Sequence, residues 1–128
     1  MSERTVMEEN KAILIADRNP HIRGLLRREL TACGYPIRLV QNGKELLSLI
    51  YSPIPIALLV LDPDFPGVES IVLARKIADR VPQLPVILHS IRGSDTLDDF
   101  SAAQVFHVEK NGQSIETLKT AIHTILSR

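Results

Sequence analysis

The sequence predicts an α/β domain with a five-stranded parallel sheet between two layers of helices. Three observations carry that expectation. Short continuous apolar runs, such as AILIA at 12–16 and VILHS at 86–90, read as strands buried on both faces. Between these runs lie segments whose apolar residues recur at helical spacing. The two patterns alternate five times with short links, as parallel strands joined by crossover helices require.

Residues 1–11 carry neither period and are expected to form a flexible tail, leaving 12–128 as the domain. The first strand, 12–16, is followed by Asn19-Pro20, a helix cap and a proline suited to the first helical position. Ile22, Leu25, Leu26, Leu30 and Cys33 form the apolar stripe of that helix, with Cys33 read as a small core residue, and Gly34 supplies a left-handed end. A second strand runs from 37 to 40, and Asn42 caps a helix carrying Leu46, Leu47 and Ile50. The third strand, 56–61, ends at Asp62. Ile71, Ala74, Ile77, Ala78 and Val81 trace the next helix, and Pro82 and Pro85 bracket the way to a fourth strand, 86–90. A weaker helix is expected over 96–103, anchored by Leu97 and Phe100. The fifth strand is 105–108, and Ser114 is expected to cap a last helix facing inward through Ile115, Leu118, Ile122 and Ile125.

Bulk properties exclude several functions. At 128 residues the chain makes one domain with a substantial core. Fifteen Lys and Arg cancel fifteen Asp and Glu, which argues against nucleic acid or an anionic membrane as the main partner. Cys33 is the single cysteine; it excludes an internal disulfide and fits a reducing compartment. The polar N-terminus has no signal-peptide core, and the longest apolar run, 54–61, is interrupted by Pro55 and too short to span a bilayer. The expected location is the cytoplasm.

In open parallel sheets the ligand site lies beyond the carboxyl ends of the strands. Those ends carry Asp17, Arg18 and Asn19 after strand one, Asp62 and Asp64 after strand three, Ser90 on strand four and Lys110 after strand five. A carboxylate, a hydroxyl and an ammonium on one rim suit the handling of a phosphoryl group.

Those residues, in that order, resemble the receiver domain of two-component response regulators over roughly 11–126. ILIADRNPHIRGLLRREL resembles the family's first strand and helix, LLVLDPDFPG its phosphoacceptor segment, PVILHS its switch strand and VFHVEK its lysine strand. The resemblance implies a flavodoxin-like (βα)5 three-layer sandwich. It makes Asp62 the phosphoacceptor, Ser90 the switch hydroxyl, Lys110 the phosphate-sensing lysine and His107 the aromatic switch position. It also implies Mg²⁺ held by Asp17, Asp62 and the Asp64 backbone carbonyl. A carboxylate attacks phosphorus only when charge on the transferring oxygens is neutralised, the task the family gives to the metal and the lysine.

The sequence departs from that pattern at four places. Arg18 stands where a second acid would bind the metal. Opposite unit charges about 4 Å apart are worth roughly 4 kcal/mol at an effective dielectric near 20, so this exchange of sign is expected to leave Mg²⁺ binding weak. Two placements of Arg18 stay open: a bidentate pair with Asp62 in the metal's position, or a side chain turned to solvent. Asn111 replaces a proline that the family commonly joins by a cis bond; a trans bond and an Asn111-Gly112 turn are expected. Ile91 is larger than usual and narrows the mouth. His107 brings a polar ring to the aromatic switch position.

Several residues carry ordinary structural readings. His89 is expected to be a core histidine with a hydrogen-bond partner, His21 and His123 helix residues, and Asp64 a loop residue. Asp95, Asp98 and Asp99 form a solvated first turn or a docking surface. LVLDPD also resembles the nucleophile motif of haloacid-dehalogenase-type phosphatases. That motif belongs on a first strand with acidic metal ligands after the lysine, whereas here only Glu116 follows Lys110.

Two functions remain. One is a phosphoacceptor domain served by a sensor histidine kinase or phosphotransfer protein. The other is a pseudo-receiver that binds proteins without phosphorylation. Both place a downstream protein, or a second copy in a homodimer, on the face of the fourth helix, fifth strand and fifth helix. Neither is an enzyme beyond its own phosphorylation. The chain is either a stand-alone regulator or a receiver cut from a longer protein.

Overall fold

The computed structural model describes residues 11–91, 96–100 and 105–127. The elements are β1 (Ala12–Ala16), α1 (Pro20–Ala32), β2 (Ile37–Leu39), α2 (Gly43–Tyr51), β3 (Ile56–Leu61), α3 (Ser70–Asp79), β4 (Val86–Ser90), a 3₁₀ helix η1 (Leu97–Phe100), β5 (Val105–Glu109) and α4 (Ser114–Leu126). All strand pairings are parallel, in the order β2-β1-β3-β4-β5. This is the flavodoxin-like order, whose direction reverses between β1 and β3. The expected tail lies outside the described residues except for Lys11.

Alternation along the strands divides the core in two. Leu14, Leu59, Leu61, Val86 and Leu88 face α2, α3 and Phe100 on one side of the sheet. Ile13, Ile15, Leu58, Val60, Ile87 and Val108 face α1 and α4 on the other. Each buried Leu or Ile contributes about 1.5–3 kcal/mol, so these two layers outweigh any surface ion pair in fixing the strand ends.

Local chemistry sets the connections. Asn19 Oδ1 accepts the His21 and Ile22 amides at the start of α1, and Asn42 Oδ1 accepts the Glu45 amide at the start of α2. Gly34, at φ +92°, ends α1: the Gly34 amide donates to the Thr31 carbonyl and the Tyr35 amide to the Leu30 carbonyl. Gly43 and Gly67 meet back to back. The Gly43 amide donates to the Pro66 carbonyl, and a Cβ on Gly43 would lie 2.7 Å from the Gly67 carbonyl oxygen.

The fold corrects several expectations. Val81 is 92% exposed, because α3 stops at Asp79 and the residue before a proline is forced out of helical conformation. Ile71 is also exposed, and Leu73 takes the inward place. In α2, Leu49 is buried where Leu47 is only partly so. Cys33 is exposed, since it is the C-cap residue and lies past the buried stripe. Ser114 is the first residue of α4 instead of its cap; its hydroxyl donates to the Asn111 carbonyl, while Asn111 Oδ1 accepts the Gln113 amide. The expected fourth helix is described only as η1; the remainder of that expectation, and Asp95, lie outside the described residues.

Candidate functional site

Parallel pairing carries the chemistry to one rim. The Asp62 amide donates to the Ala16 carbonyl, so β3 delivers its carboxylate beside Asp17 and Arg18. The Lys110 amide donates to the Ser90 carbonyl, which sets the lysine next to the end of β4. Asp17, Asp62 and Ser90 are buried, while Lys110 and Arg18 reach in from above. The apolar layers hold the backbone, and the polar ends of the strands come together at the rim.

Asp62 is the centre of the cluster. Its Oδ1 accepts the Asp64 amide at 3.0 Å, and its carbonyl accepts the Phe65 amide, closing a turn with Pro63 at its second position. Its Oδ2 lies 3.2 Å from Arg18 Nε and 3.5 Å from Lys110 Nζ. Lys110 Nζ is closer to Asp17 Oδ2, at 3.0 Å, and so bridges two buried carboxylates. Asp17 Oδ1 accepts the Asn19 amide, and the Asp17 carbonyl accepts from Arg23.

The placement of Arg18 left open by the sequence is decided here, with one correction. The guanidinium does turn inward, but it does not form a bidentate pair with Asp62. It bridges instead: Nε to Asp62 Oδ2, and Nη2 to Asp64 Oδ2 at 3.6 Å. The planar fork spans two carboxylates better than it doubles on one because Asp64 stands two residues on, across the turn. Thr96 holds the other oxygen of Asp64, donating from Oγ1 at 3.0 Å.

Ser90 Oγ lies 2.8 Å from His107 Nε2, so the hydroxyl at the end of β4 is tied to the edge strand β5. Ile91 is exposed at 54% beyond it. The Lys110–Asn111 bond is trans, since Val81–Pro82 is the one cis bond among the described residues. His89 departs from expectation. It is buried, yet neither ring nitrogen has a hydrogen-bond partner, and burial, reinforced by the Lys110 ammonium, lowers its pKa to about 4. A strand with apolar layers on both sides offers that ring no donor or acceptor.

Thr96 and Arg23 are the contributors that sequence reasoning missed. Thr96 carries no signal beyond preceding a weak helical pattern. Arg23 sits on the first turn of α1 at a spacing that a helix entering over Asp17 brings back to it. Asp99 likewise receives a hydrogen bond from Ser70 Oγ, joining η1 to α3.

This donor set does not fit a divalent cation. Both oxygens of Asp17 and both of Asp62 already face N–H groups, two of them cationic, whereas Mg²⁺ is held through one or two carboxylates with water completing its octahedron and is repelled by cations in that place. Among the described residues no group of three or more His, Cys, Asp or Glu side chains is set to hold a metal.

A family model described as the response regulator receiver domain matches residues 13–123. The chain belongs to the response regulator receiver family. Among its relatives is the response regulator MprA of Mycolicibacterium vanbaalenii, 35% identical over 82 residues, which cover 64% of this chain and 35% of that one. The chain thus spans about a third of the curated relatives it matches. The response regulator TrrA of Thermotoga maritima, solved in complex with Mg²⁺ and BeF, is 30% identical, with 91% of this chain and 99% of that one covered and a TM-score of 0.76. TrrA in complex with the histidine kinase ThkA is 31% identical, with 91% and 98% covered and a TM-score of 0.73. Receiver domains are signalling domains and not classical enzymes. No helix among the described residues is long and apolar enough to cross a membrane.

Proposed function

We propose that this receiver accepts a phosphoryl group on Asp62 from a histidine kinase or phosphotransfer protein, in the cytoplasm, and passes the change to a protein partner. The observation that carries the proposal is the Lys110 ammonium, 3.0 Å from Asp17 and 3.5 Å from Asp62, at the switch point of the sheet. A phosphoryl group on Asp62 adds charge beside that ammonium and draws it from Asp17. Ser90 then trades His107 for a phosphoryl oxygen, and the freed ring alters the β5 edge, where Phe106 is exposed. That edge, with η1 and α4, is the proposed docking face for a downstream protein or a second copy.

Intact mass spectrometry after incubation with phosphoramidate, or with a histidine kinase and ATP, tests this. The expected result is the mass gain of one phosphoryl group in the wild type and none in Asp62→Asn. A second reading, a receiver that signals by binding alone, is favoured by one observation: the Arg18 guanidinium already occupies Asp62 Oδ2. An inert wild type under all donors would establish it.

A further inference from the structure

We infer that Arg18 is the built-in cation of this site, so that phosphoryl transfer to Asp62 proceeds without a divalent metal. The inference rests on Asp62 being the acceptor and assigns a further catalytic residue to that reaction.

Geometry is the first support. Asp62 Oδ2 is flanked by two cations that arrive from opposite sides, Arg18 from the β1 loop and Lys110 from the end of β5. The backbone amide of Arg18 points at the same oxygen from 3.5 Å. The guanidinium also spans to Asp64, across the turn that follows β3.

Charge is the second. An acid at position 18 with a bound divalent ion contributes minus one and plus two, a sum of plus one. Arginine contributes plus one by itself and cannot lose its proton. The net charge beside Asp62 therefore equals that of a metal-loaded site and is carried by the chain. A small cation placed there in addition would meet the guanidinium and the Lys110 ammonium, which already face Asp62 Oδ2 and Asp17 Oδ2.

Reach is the third. The Arg18 side chain is 49% exposed, so its far end is free to leave Asp64, which keeps its hydrogen bond from Thr96. The same fork that spans two carboxylates matches two phosphoryl oxygens. With phosphoramidate as donor, its nitrogen already protonated to –NH₃⁺, an Asp62 carboxylate oxygen forms a bond to phosphorus while the P–N bond breaks. The electron pair of that bond stays on nitrogen, which leaves as neutral ammonia with its three protons, and an aspartyl phosphate remains. Negative charge on the equatorial oxygens in the transition state lies between the Arg18 guanidinium and the Lys110 ammonium.

The test is the rate of phosphorylation by phosphoramidate in excess EDTA and in excess Mg²⁺, read by intact mass. Wild type, Arg18→Asp, Arg18→Gln and Asp62→Asn are compared, each with an amide spectrum to verify folding and a Mg²⁺ titration followed by NMR. The wild type is expected to react at the same rate in both media and to show no saturable Mg²⁺ shifts. Arg18→Asp should be slower in EDTA by about tenfold or more, recover in Mg²⁺, and gain saturable shifts at Asp17 and Asp62. Arg18→Gln should be slow in both. A wild-type rate that climbs with Mg²⁺ overturns the inference, as does an Arg18→Gln as fast as the wild type. A wild type that is inert while Arg18→Asp reacts in Mg²⁺ makes Arg18 a lock, and leaves Asp62 an acceptor position. If no variant reacts, the acceptor reading fails, and this inference with it.

Discussion

His89 shows how one side chain sets a condition on the whole fold. Its ring is fully buried on β4 without a hydrogen-bond partner, and burial lowers its pKa from 6.5 to about 4. Lys110 and His107 push in the same direction; Asp17 and Asp62 oppose them. The folded state keeps the ring neutral where the unfolded chain binds a proton. The sign follows: this stability is fully present above pH 6.5 and is lost as pH falls through the window down to about 4. A shift of that size corresponds to about 3 kcal/mol. Urea unfolding of His89→Leu is expected to lose this acid slope and to gain about 1 kcal/mol at neutral pH, because two desolvated nitrogens without partners disappear. An unchanged slope would assign the acid sensitivity to other groups. In the sequence this residue reads as a core histidine, which is right about burial. Its lack of a partner is a property of neighbours on other strands and is invisible in VILHS alone.

Elements were legible where one period dominates. AILIA, IALLVL and VILHS fold as the strands that their apolar runs imply, and Asn19 and Asn42 cap the helices they precede. Legibility failed at ends. Val81 continues the apolar spacing of α3, but Pro82 decides its conformation, and Ser114 lost the cap of α4 to the Asn111 turn. The loop after β3 depends on a contact that no local pattern reveals, the backbone of Gly67 on Gly43. Alanine is normally better than glycine in a helix by about 1 kcal/mol. Gly43→Ala is nevertheless expected to destabilise by about 1–3 kcal/mol, since the new methyl group meets the Gly67–Val68 backbone and displaces the loop carrying Asp64. Denaturant unfolding checks the sign, and a stabilised variant would mean that the loop does not rest on α2.

At the scale of the molecule, five alternating units announce a parallel sheet, but the strand order is a tertiary fact. That order places the switch point between β1 and β3 and so brings Asp17, Arg18 and Asp62 together. The strand ends pointed to Asp62 and Lys110, which the fold brings within 3.5 Å of each other, while Ser90 was singled out only by its place in the series. They did not show that Arg18 bridges two carboxylates or that Ser90 is bound to His107, because those pairings depend on side-chain directions across strands far apart in sequence. The central claim is that Asp62 is a working acceptor supported by a cation from its own chain. Amide NMR of the wild type and Asp62→Asn, titrated with beryllofluoride without added Mg²⁺, tests it most directly. The claim predicts saturable shifts at Asp62, Arg18, Ser90 and Lys110 that spread through His107 along β5 and are absent in Asp62→Asn. Wild-type spectra that do not move, or that move only once Mg²⁺ is added, would contradict it.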